Sequence, residues 1–292
     1  MLEFGCNDVY LLTLLEGKAR QLLGVDPILK GREAELENDK IKVRGERVEN
    51  VDLRQVLDGV PDLVVAQHTM EHIEDPRSLL EQLFRVTDDG TLFLFEFPCF
   101  DILLERLRFD QIFHQHLQYY SVRSFLALLD RCGGELIDLS FNYGYWGGAL
   151  VTFRQTKSKT RGSSDAAPAF LAPTLDEVQS RYEVFCREME TTRFALELAN
   201  QNNLFGYGAA LMLPVLGYHL GTDFSEFRAI LDDDPDKNGL SYVNLPVVIR
   251  EPEGVDFAVA TVCLTALDNR RPILKKLMAR NPREIINPLS CM

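Results

Sequence analysis

The chain has 292 residues, of which 46% are hydrophobic, so it is long enough for two globular domains that each bury a core. Its formal net charge of −13 argues against a nucleic acid as the main partner, because binding to a phosphate backbone depends on clustered Lys and Arg. No apolar run is long enough to span a bilayer and no signal peptide is recognisable, so we expect a cytoplasmic protein with a small-molecule substrate and no membrane partner.

The first 155 residues alternate short apolar segments with amphipathic ones, which predicts a mostly parallel α/β sheet. We expect strands at Leu2–Phe4, Leu23–Val25, Lys42–Val43, Leu63–Ala66 and Leu92–Phe95, followed by an antiparallel edge pair at Gly134–Ser140 and Gly148–Phe153. The order of elements is therefore that of an open, doubly wound fold.

A nucleotide-type cofactor loop is predicted at the end of the first strand. The strand ends in Glu3, and Gly5 allows the backbone to turn closely around a ligand. Asp26 follows about twenty residues later, where a second strand would end and a carboxylate can accept the hydroxyls of a ribose. The alternative is an ordinary packed turn with a solvated acid.

The rest of the chain predicts a linker and a second domain. Residues 156–173 contain few large apolar side chains and read as a linker, and Thr174 begins a capping box for a helix that bridges the halves over 174–203. Residues 204–292 repeat the strand, glycine, helix, strand and acid order, with Gly206, Gly208 and Asp232 at the key positions. Further strands are expected at Phe257–Val262 and Glu284–Ile286, with a helix at Pro272–Met278 between them.

Four of the five histidines form two clusters, His68 with His72 and His114 with His116, whereas His219 stands apart. The first cluster follows a predicted strand and fits the HxxEH pattern of zinc proteases, but that pattern requires one long helix. Because Asp75 and Pro76 indicate that the helix starts only after the cluster, we predict no metal site there. The six cysteines contain no CxxC pair, so they predict neither zinc nor disulfides.

The second histidine cluster lies in a segment rich in polar and aromatic residues. His114 or His116 could accept a proton from a hydroxyl or an activated carbon, because imidazole titrates near neutrality. The alternative is that one of them only fixes its loop by a hydrogen bond to the backbone.

These segments resemble the sugar C-methyltransferase family, whose members use S-adenosylmethionine to methylate nucleotide-linked deoxysugars. The sequence Glu3-Phe4-Gly5-Cys6-Asn7-Asp8 is similar to the family's ExGxND loop, and Asp110 to His116 resembles its F-D-x-I-Y-H-E-H loop. The resemblance implies a class I methyltransferase domain followed by a second, smaller Rossmann-like domain, with S-adenosylhomocysteine as product. A homodimer is a candidate assembly.

The resemblance also implies site residues. The expected catalytic residues are His116 as general base, His72 and His114. Cofactor contacts are expected from Glu3, Gly5, Cys6, Asn7, Asp26, Glu49, Gln67 and His68, and substrate contacts from Phe113, Gln115, Tyr119, Tyr120, Gly206, Gly208 and Asp232.

The sequence departs from the family at several positions. Phe113 and Gln115 replace a tyrosine and a glutamate, and Val9 replaces a glycine, so methylation at oxygen and at carbon both stay open. The family's N-terminal zinc-binding domain has no counterpart in this sequence. Two alternatives are a catalytically degenerate scaffold that binds S-adenosylmethionine or a nucleotide, and an NAD-dependent enzyme, although Leu211 stands where GxGxxG needs its third glycine.

Overall fold

The computed structural model describes residues 1–144, 146–156, 171–199 and 203–289. The chain divides into two compact units, one comprising Met1–Ile102 and His114–Pro173 and the other comprising Leu103–Phe113 and Thr174–Met292. Most of the predicted linker, together with Cys291, lies outside the described residues.

The first unit contains a seven-stranded sheet in the order β3-β2-β1-β4-β5-β7-β6. Its strands are β1 (Leu2–Phe4), β2 (Leu22–Val25), β3 (Ile41–Arg44), β4 (Leu63–Gln67), β5 (Leu92–Pro98), β6 (Gly134–Asn142) and β7 (Gly148–Gln155). Its helices are α1 (Tyr10–Leu15), α2 (Glu33–Leu36), α3 (Leu53–Val56), α4 (Pro76–Phe84) and α6 (Val122–Cys132), and α5 (Phe100–Glu105) crosses into the second unit. Strands β1 to β5 are parallel, as predicted.

The core of this unit is an aromatic cluster on the central strands. Phe4, Phe93, Phe95 and Phe153 are fully buried, and the rings of Phe93 and Phe153 stack with centroids 4.8 Å apart. The two antiparallel strands form as predicted, but only β6 is an edge strand, because β7 pairs with β5 on its other side.

The start of α4 is also as predicted. The Asp75 carboxylate accepts a hydrogen bond from the backbone N–H of Ser78 (3.0 Å), and Pro76 occupies the first turn. The histidines before it therefore lie outside this helix.

The second unit contains a parallel five-stranded sheet in the order β10-β9-β8-β11-β12. Its elements are α7 (Leu175–Leu198), β8 (Leu204–Tyr207), α8 (Leu213–Leu220), β9 (Ile230–Leu231), β10 (Ile249–Arg250), β11 (Thr261–Leu264), α9 (Arg270–Arg280) and β12 (Glu284–Ile286). The Thr174 hydroxyl accepts from the N–H of Glu177 (3.2 Å), which caps α7 as expected.

The predicted strand at Phe257–Val262 starts later than the sequence indicated. Residues Phe257–Val259 form a 3₁₀ turn, because the Asp256 carboxylate accepts from the N–H of Ala258 (3.1 Å). Strand β11 then begins at Thr261.

An ion-pair network joins residues 103–113 to the rest of the second unit. Arg108 pairs with Asp110 through two hydrogen bonds of 2.8 Å and with Asp268 at 2.7 Å. Arg108 and Asp110 are both buried, so their charges require these partners. The predicted domain ranges placed this segment with the first domain, whereas compactness places it with the second unit.

Candidate active site

The loop after β1 is tightly built around Gly5. Gly5 has a left-handed φ of 72°, and its N–H donates to the carbonyl of Val25 (2.8 Å). A side chain at Gly5 would overlap the side chain of Thr69, so the turn after β4 packs directly against this loop. Glycine is therefore required here both by its backbone angle and by Thr69.

Asp26 lies at the carboxyl end of β2, beside this loop. Its carboxylate accepts from the N–H of Asn7 and from the N–H of Ile28, each at 2.9 Å. The arrangement matches the predicted neighbourhood of Gly5, Asn7 and Asp26, in which a carboxylate stands next to a close backbone turn.

Glu3 is a buried acid on β1. Its Oε2 atom is buried and has no hydrogen-bond partner within the described residues. Burial, together with the nearby charges of Asp8 and Asp26, raises the pKa of Glu3 to about 7. Three acids at one loop favour a ligand that carries a positive charge.

The other predicted cofactor residues differ in how exposed their side chains are. Cys6 is buried and its sulfur packs against Gly24, so only its backbone can face a ligand. Gln67 is exposed at the end of β4, and Glu49 is half-buried in the turn Val48–Asn50 after β3. Val9 adopts a left-handed φ of 58°, the conformation that the family's glycine would favour.

The turn after β4 carries a buried acid between histidines. The Glu71 side chain is 3% exposed, and its Oε1 lies 3.6 Å from Nδ1 of His68. The Nε2 atom of His68 lies 4.0 Å from Oε1 of Glu96 on β5. Burial disfavours the charged imidazole, but the hydrogen bond and charge of Glu71 and the charge of Glu96 outweigh it and raise the pKa of His68.

The loop that carries His116 is fastened to this turn by backbone hydrogen bonds. The N–H groups of Leu117 and Gln118 donate to the carbonyl of Glu71 at 2.8 and 3.0 Å. On the other side of His116, the carbonyl of Gln115 lies 2.7 Å from Nδ1 of His72. The two histidine clusters are thereby brought together, although His72 and His116 are 44 residues apart in sequence.

His116 is buried in an aromatic and imidazole environment. Its ring centroid lies 5.1 Å from that of His72 and 5.7 Å from that of Trp146. Burial lowers the pKa of His116 to about 4, with smaller contributions from Glu71, which raises it, and from His72 and His68, which lower it. His116 is therefore neutral at physiological pH, as a general base must be.

The remaining predicted residues of this segment separate into exposed and buried ones. His114 and Gln115 are exposed, and Tyr119 is half-buried with its ring 6.0 Å from that of His116. Tyr120 is buried in the core, and its hydroxyl donates to the carbonyl of Met70 (3.3 Å), so it serves packing. Phe113 belongs to the second unit.

The predicted substrate residues of the second unit lie around the loop after β8. A side chain at Gly208 would overlap Ala266, and one at Gly206 would crowd Ile230, so both glycines are needed for internal packing. Asp232 accepts from the N–H of Ala209 (2.7 Å) and pairs with Lys237 (3.3 Å).

Glu71, His72 and His116 together form the type of cluster that can hold a metal ion. Their ligand atoms lie within 4.8 Å of one another. The expected absence of a metal at this site stays a prediction.

Three residues of the site were not assigned a role from the sequence. Glu71 belongs to the HxxEH pattern and lies three residues after His68. Glu96 directly follows the predicted strand Leu92–Phe95, and its proximity to His68 depends on the pairing of β4 with β5. Trp146 is the single tryptophan of the chain, and its position within a glycine-rich turn was the only local signal.

Comparison with known proteins finds similarity to methyltransferases. Residues 1–139 match the profile of a methyltransferase domain family. C-methyltransferase NovU of Streptomyces niveus is 26% identical over 270 residues, which cover 87% of this chain and 62% of the relative. The chain thus spans 62% of the length of that curated relative.

Two solved structures are also similar. An S-adenosylmethionine-dependent methyltransferase from Clostridium acetobutylicum has a TM-score of 0.42 and 12% identity, over 53% of this chain and 82% of that one. Magnesium protoporphyrin IX methyltransferase from Synechocystis, with bound S-adenosylmethionine, has a TM-score of 0.38 and 11% identity, over 53% of this chain and 69% of that one.

Over residues 1–139 the chain is thus similar to methyltransferase domains, in agreement with the methyltransferase activity expected from the sequence. Within the described residues, no helix is both long and apolar enough to cross a membrane.

Proposed function

We propose that this protein transfers the methyl group of S-adenosylmethionine to a nucleotide-linked sugar, with His116 as the general base. The observation that carries this proposal is the placement of His116 in the first unit, held by hydrogen bonds to the turn that packs against Gly5. The turn after β4 therefore contacts both the loop at Gly5 and the segment that carries His116.

The residues of the loop fit the cofactor. Asn7 and Asp26 would hold its methionine and ribose parts, and the unpartnered Glu3 oxygen offers an acceptor for its ammonium group. When bound, the cofactor supplies an electrophilic methyl group on a positively charged sulfur. The carboxylates at this loop favour a positive charge, so the loop and the cofactor are electrostatically complementary.

The protein's own residues have a limited chemical task. Methyl transfer is an in-line displacement, so the enzyme mainly aligns the reactants and removes a proton from the acceptor. His116 is neutral and buried, so it can accept that proton, while His72 is fixed beside it by Gln115. An oxygen or a carbon nucleophile is compatible with this arrangement.

The sugar acceptor is supported by the resemblance of the Asp110 to His116 segment, and methyl transfer is supported by the similarity to C-methyltransferase NovU. Cytoplasmic location, a homodimer and a substrate role for the second unit belong to the same proposal. The alternative is a degenerate scaffold, which the changes at Phe113 and Gln115 would suit.

The test has two stages. Calorimetric titration of S-adenosylhomocysteine into the full chain should show micromolar binding, and labelled methyl transfer should then be screened against sugar nucleotides and the corresponding free sugars. Acceptor binding can be followed separately by fluorescence, because Trp146 is the only tryptophan and lies next to His116. Cofactor binding without transfer to any acceptor would support a scaffold that binds S-adenosylmethionine. No cofactor binding by the folded protein would reject the enzyme and favour a scaffold that binds a nucleotide instead.

A further inference from the structure

Glu71 is a second buried acid of the first unit, besides Glu3. It is 2% exposed, and its Oε2 atom has no hydrogen-bond partner within the described residues. Burying a carboxylate oxygen without a partner is costly, and a glutamine would fill the same space without a charge. The charge therefore calls for a function other than packing.

The carboxylate lies between two imidazoles. Oε1 is 3.6 Å from Nδ1 of His68, and a carboxylate oxygen lies within 4.8 Å of a ring nitrogen of His116. This bound places the carboxylate within reach of the ring, and contacts of a catalytic base often tighten only when a substrate is bound.

The backbone keeps this approach in place. The carbonyl of Glu71 accepts from Leu117 and Gln118, while His72, the residue after Glu71, is held by Gln115. The peptide segments on both sides of His116 are thus tied to the segment that carries Glu71. These bonds keep the backbone at Glu71 close to the backbone at His116.

Resting on the proposed function, we propose that Glu71 is a positioning residue for the general base. Its carboxylate accepts the N–H of one ring nitrogen of His116, so that the other nitrogen is unprotonated and directed to the acceptor. During the reaction, that nitrogen takes the proton from the acceptor, the acceptor atom forms a bond to the methyl carbon, and the carbon–sulfur bond breaks to leave a neutral thioether. The imidazolium that forms is stabilised by Glu71.

Electrostatics support the same arrangement. Among the groups around His116, the charge of Glu71 raises its pKa, whereas His72 and His68 lower it, and the Tyr119 ring lies 6.0 Å away. Glu71 is the acid that opposes the effect of burial on this base. His68 holds the other carboxylate oxygen and so orients Glu71 itself.

The first test reads the tautomer of His116 by NMR of the full chain with ¹⁵N-labelled histidine. With five histidines, a His116→Asn variant assigns the signal. In the unsubstituted protein, one tautomer should dominate near neutral pH, and Glu71→Gln should convert it to a mixture or to the other tautomer. Glu96→Gln is the matched control, because Glu96 faces His68 and should change that signal only.

The second test is kinetic. Glu71→Gln should lower kcat for methyl transfer about tenfold or more, with little change in the KM for the cofactor, and Glu71→Asp should restore part of the loss. An unchanged His116 tautomer in Glu71→Gln, or an even mixture of tautomers in the unsubstituted protein, overturns the inference. The second of these results needs no variant to fold. Because the NMR readout needs no acceptor, the inference can fail or hold independently of the proposed activity.

Discussion

The loop after β1 in the first unit and the loop after β8 in the second unit have the same construction. In each, a backbone N–H donates to the acid that ends the neighbouring strand, from Asn7 to Asp26 at 2.9 Å and from Ala209 to Asp232 at 2.7 Å. In each, a left-handed glycine sits in the loop, with its N–H bonded to that neighbouring strand. In both units, therefore, the glycine and the acid fix the backbone of the loop through hydrogen bonds.

The surroundings of the two acids differ. Asp232 is paired with Lys237 at 3.3 Å, and the Tyr242 hydroxyl donates to the carbonyl of Ala210 in the same loop (2.7 Å). No cation within the described residues pairs with Asp26, and the nearby Glu3 keeps an unpartnered oxygen. In the second loop the charge of the acid is thus compensated by a lysine of the same chain, whereas in the first loop the negative charge is left for a ligand. A glycine–acid pattern therefore indicates a binding site here only where the charge of its acid is left uncompensated.

The largest effect should come from removing the base that accompanies the first loop. His116→Asn should reduce methyl transfer about 100-fold or more, because general-base catalysis typically contributes that much, while S-adenosylhomocysteine binding stays unchanged. The matched control is His219→Asn, which removes a half-buried imidazole of the second unit whose ring lies 4.9 Å from that of Phe185. Equal loss of transfer in both variants would show that the chemistry is not confined to the first unit.

Local spacing predicted the first loop well, since Gly5 and Asp26 are joined by one short strand–helix–strand unit. The Glu71–His116 neighbourhood was not predictable, because backbone bonds from Leu117 and Gln118 bring together residues that are far apart in sequence. The placement of residues 103–113 was missed for the same reason. It depends on Arg108 meeting Asp268, 160 residues away, and no local pattern reports such a pairing.

The acids of the two loops can be compared directly. Asp26→Asn should weaken S-adenosylhomocysteine binding about 10- to 100-fold, because hydrogen bonds to a charged group contribute about 1.5–3 kcal/mol. Asp232→Asn should leave this affinity unchanged, since its charge is already paired with Lys237. Calorimetric titration of both variants measures the difference. Similar losses in the two variants would mean that the second loop also takes part in cofactor binding.

The uncompensated charge of the first loop also predicts a pH dependence. The pKa of Glu3 is raised from an ordinary value of 4.5 to about 7 by burial. Between these values the folded protein holds a proton that the unfolded chain has lost, so the free energy of unfolding should fall as pH rises from about 4.5 to about 7 and then level off. Binding of a ligand with an ammonium group should strengthen over the same range.

Glu3→Gln should remove both pH dependences, because the amide does not titrate. Chemical denaturation at several pH values measures the first and calorimetric titration measures the second. A stability profile of Glu3→Gln that parallels the unsubstituted protein would assign the dependence to another group.

The smallest effect is expected from removing the lysine that pairs with Asp232 in the second loop. Lys237 is partly exposed, so its pair with Asp232 is screened by solvent, and Lys237→Ala should lower the free energy of unfolding by about 1 kcal/mol or less. Cofactor affinity should not change, because the first loop contains no comparable lysine contact. The contrary result is that Lys237→Ala binds a nucleotide at the second unit. That result would show that the Lys237 ammonium blocks a binding site by pairing with Asp232. The two loops would then differ by one side chain, and the same backbone construction could be opened or closed to ligands by that residue.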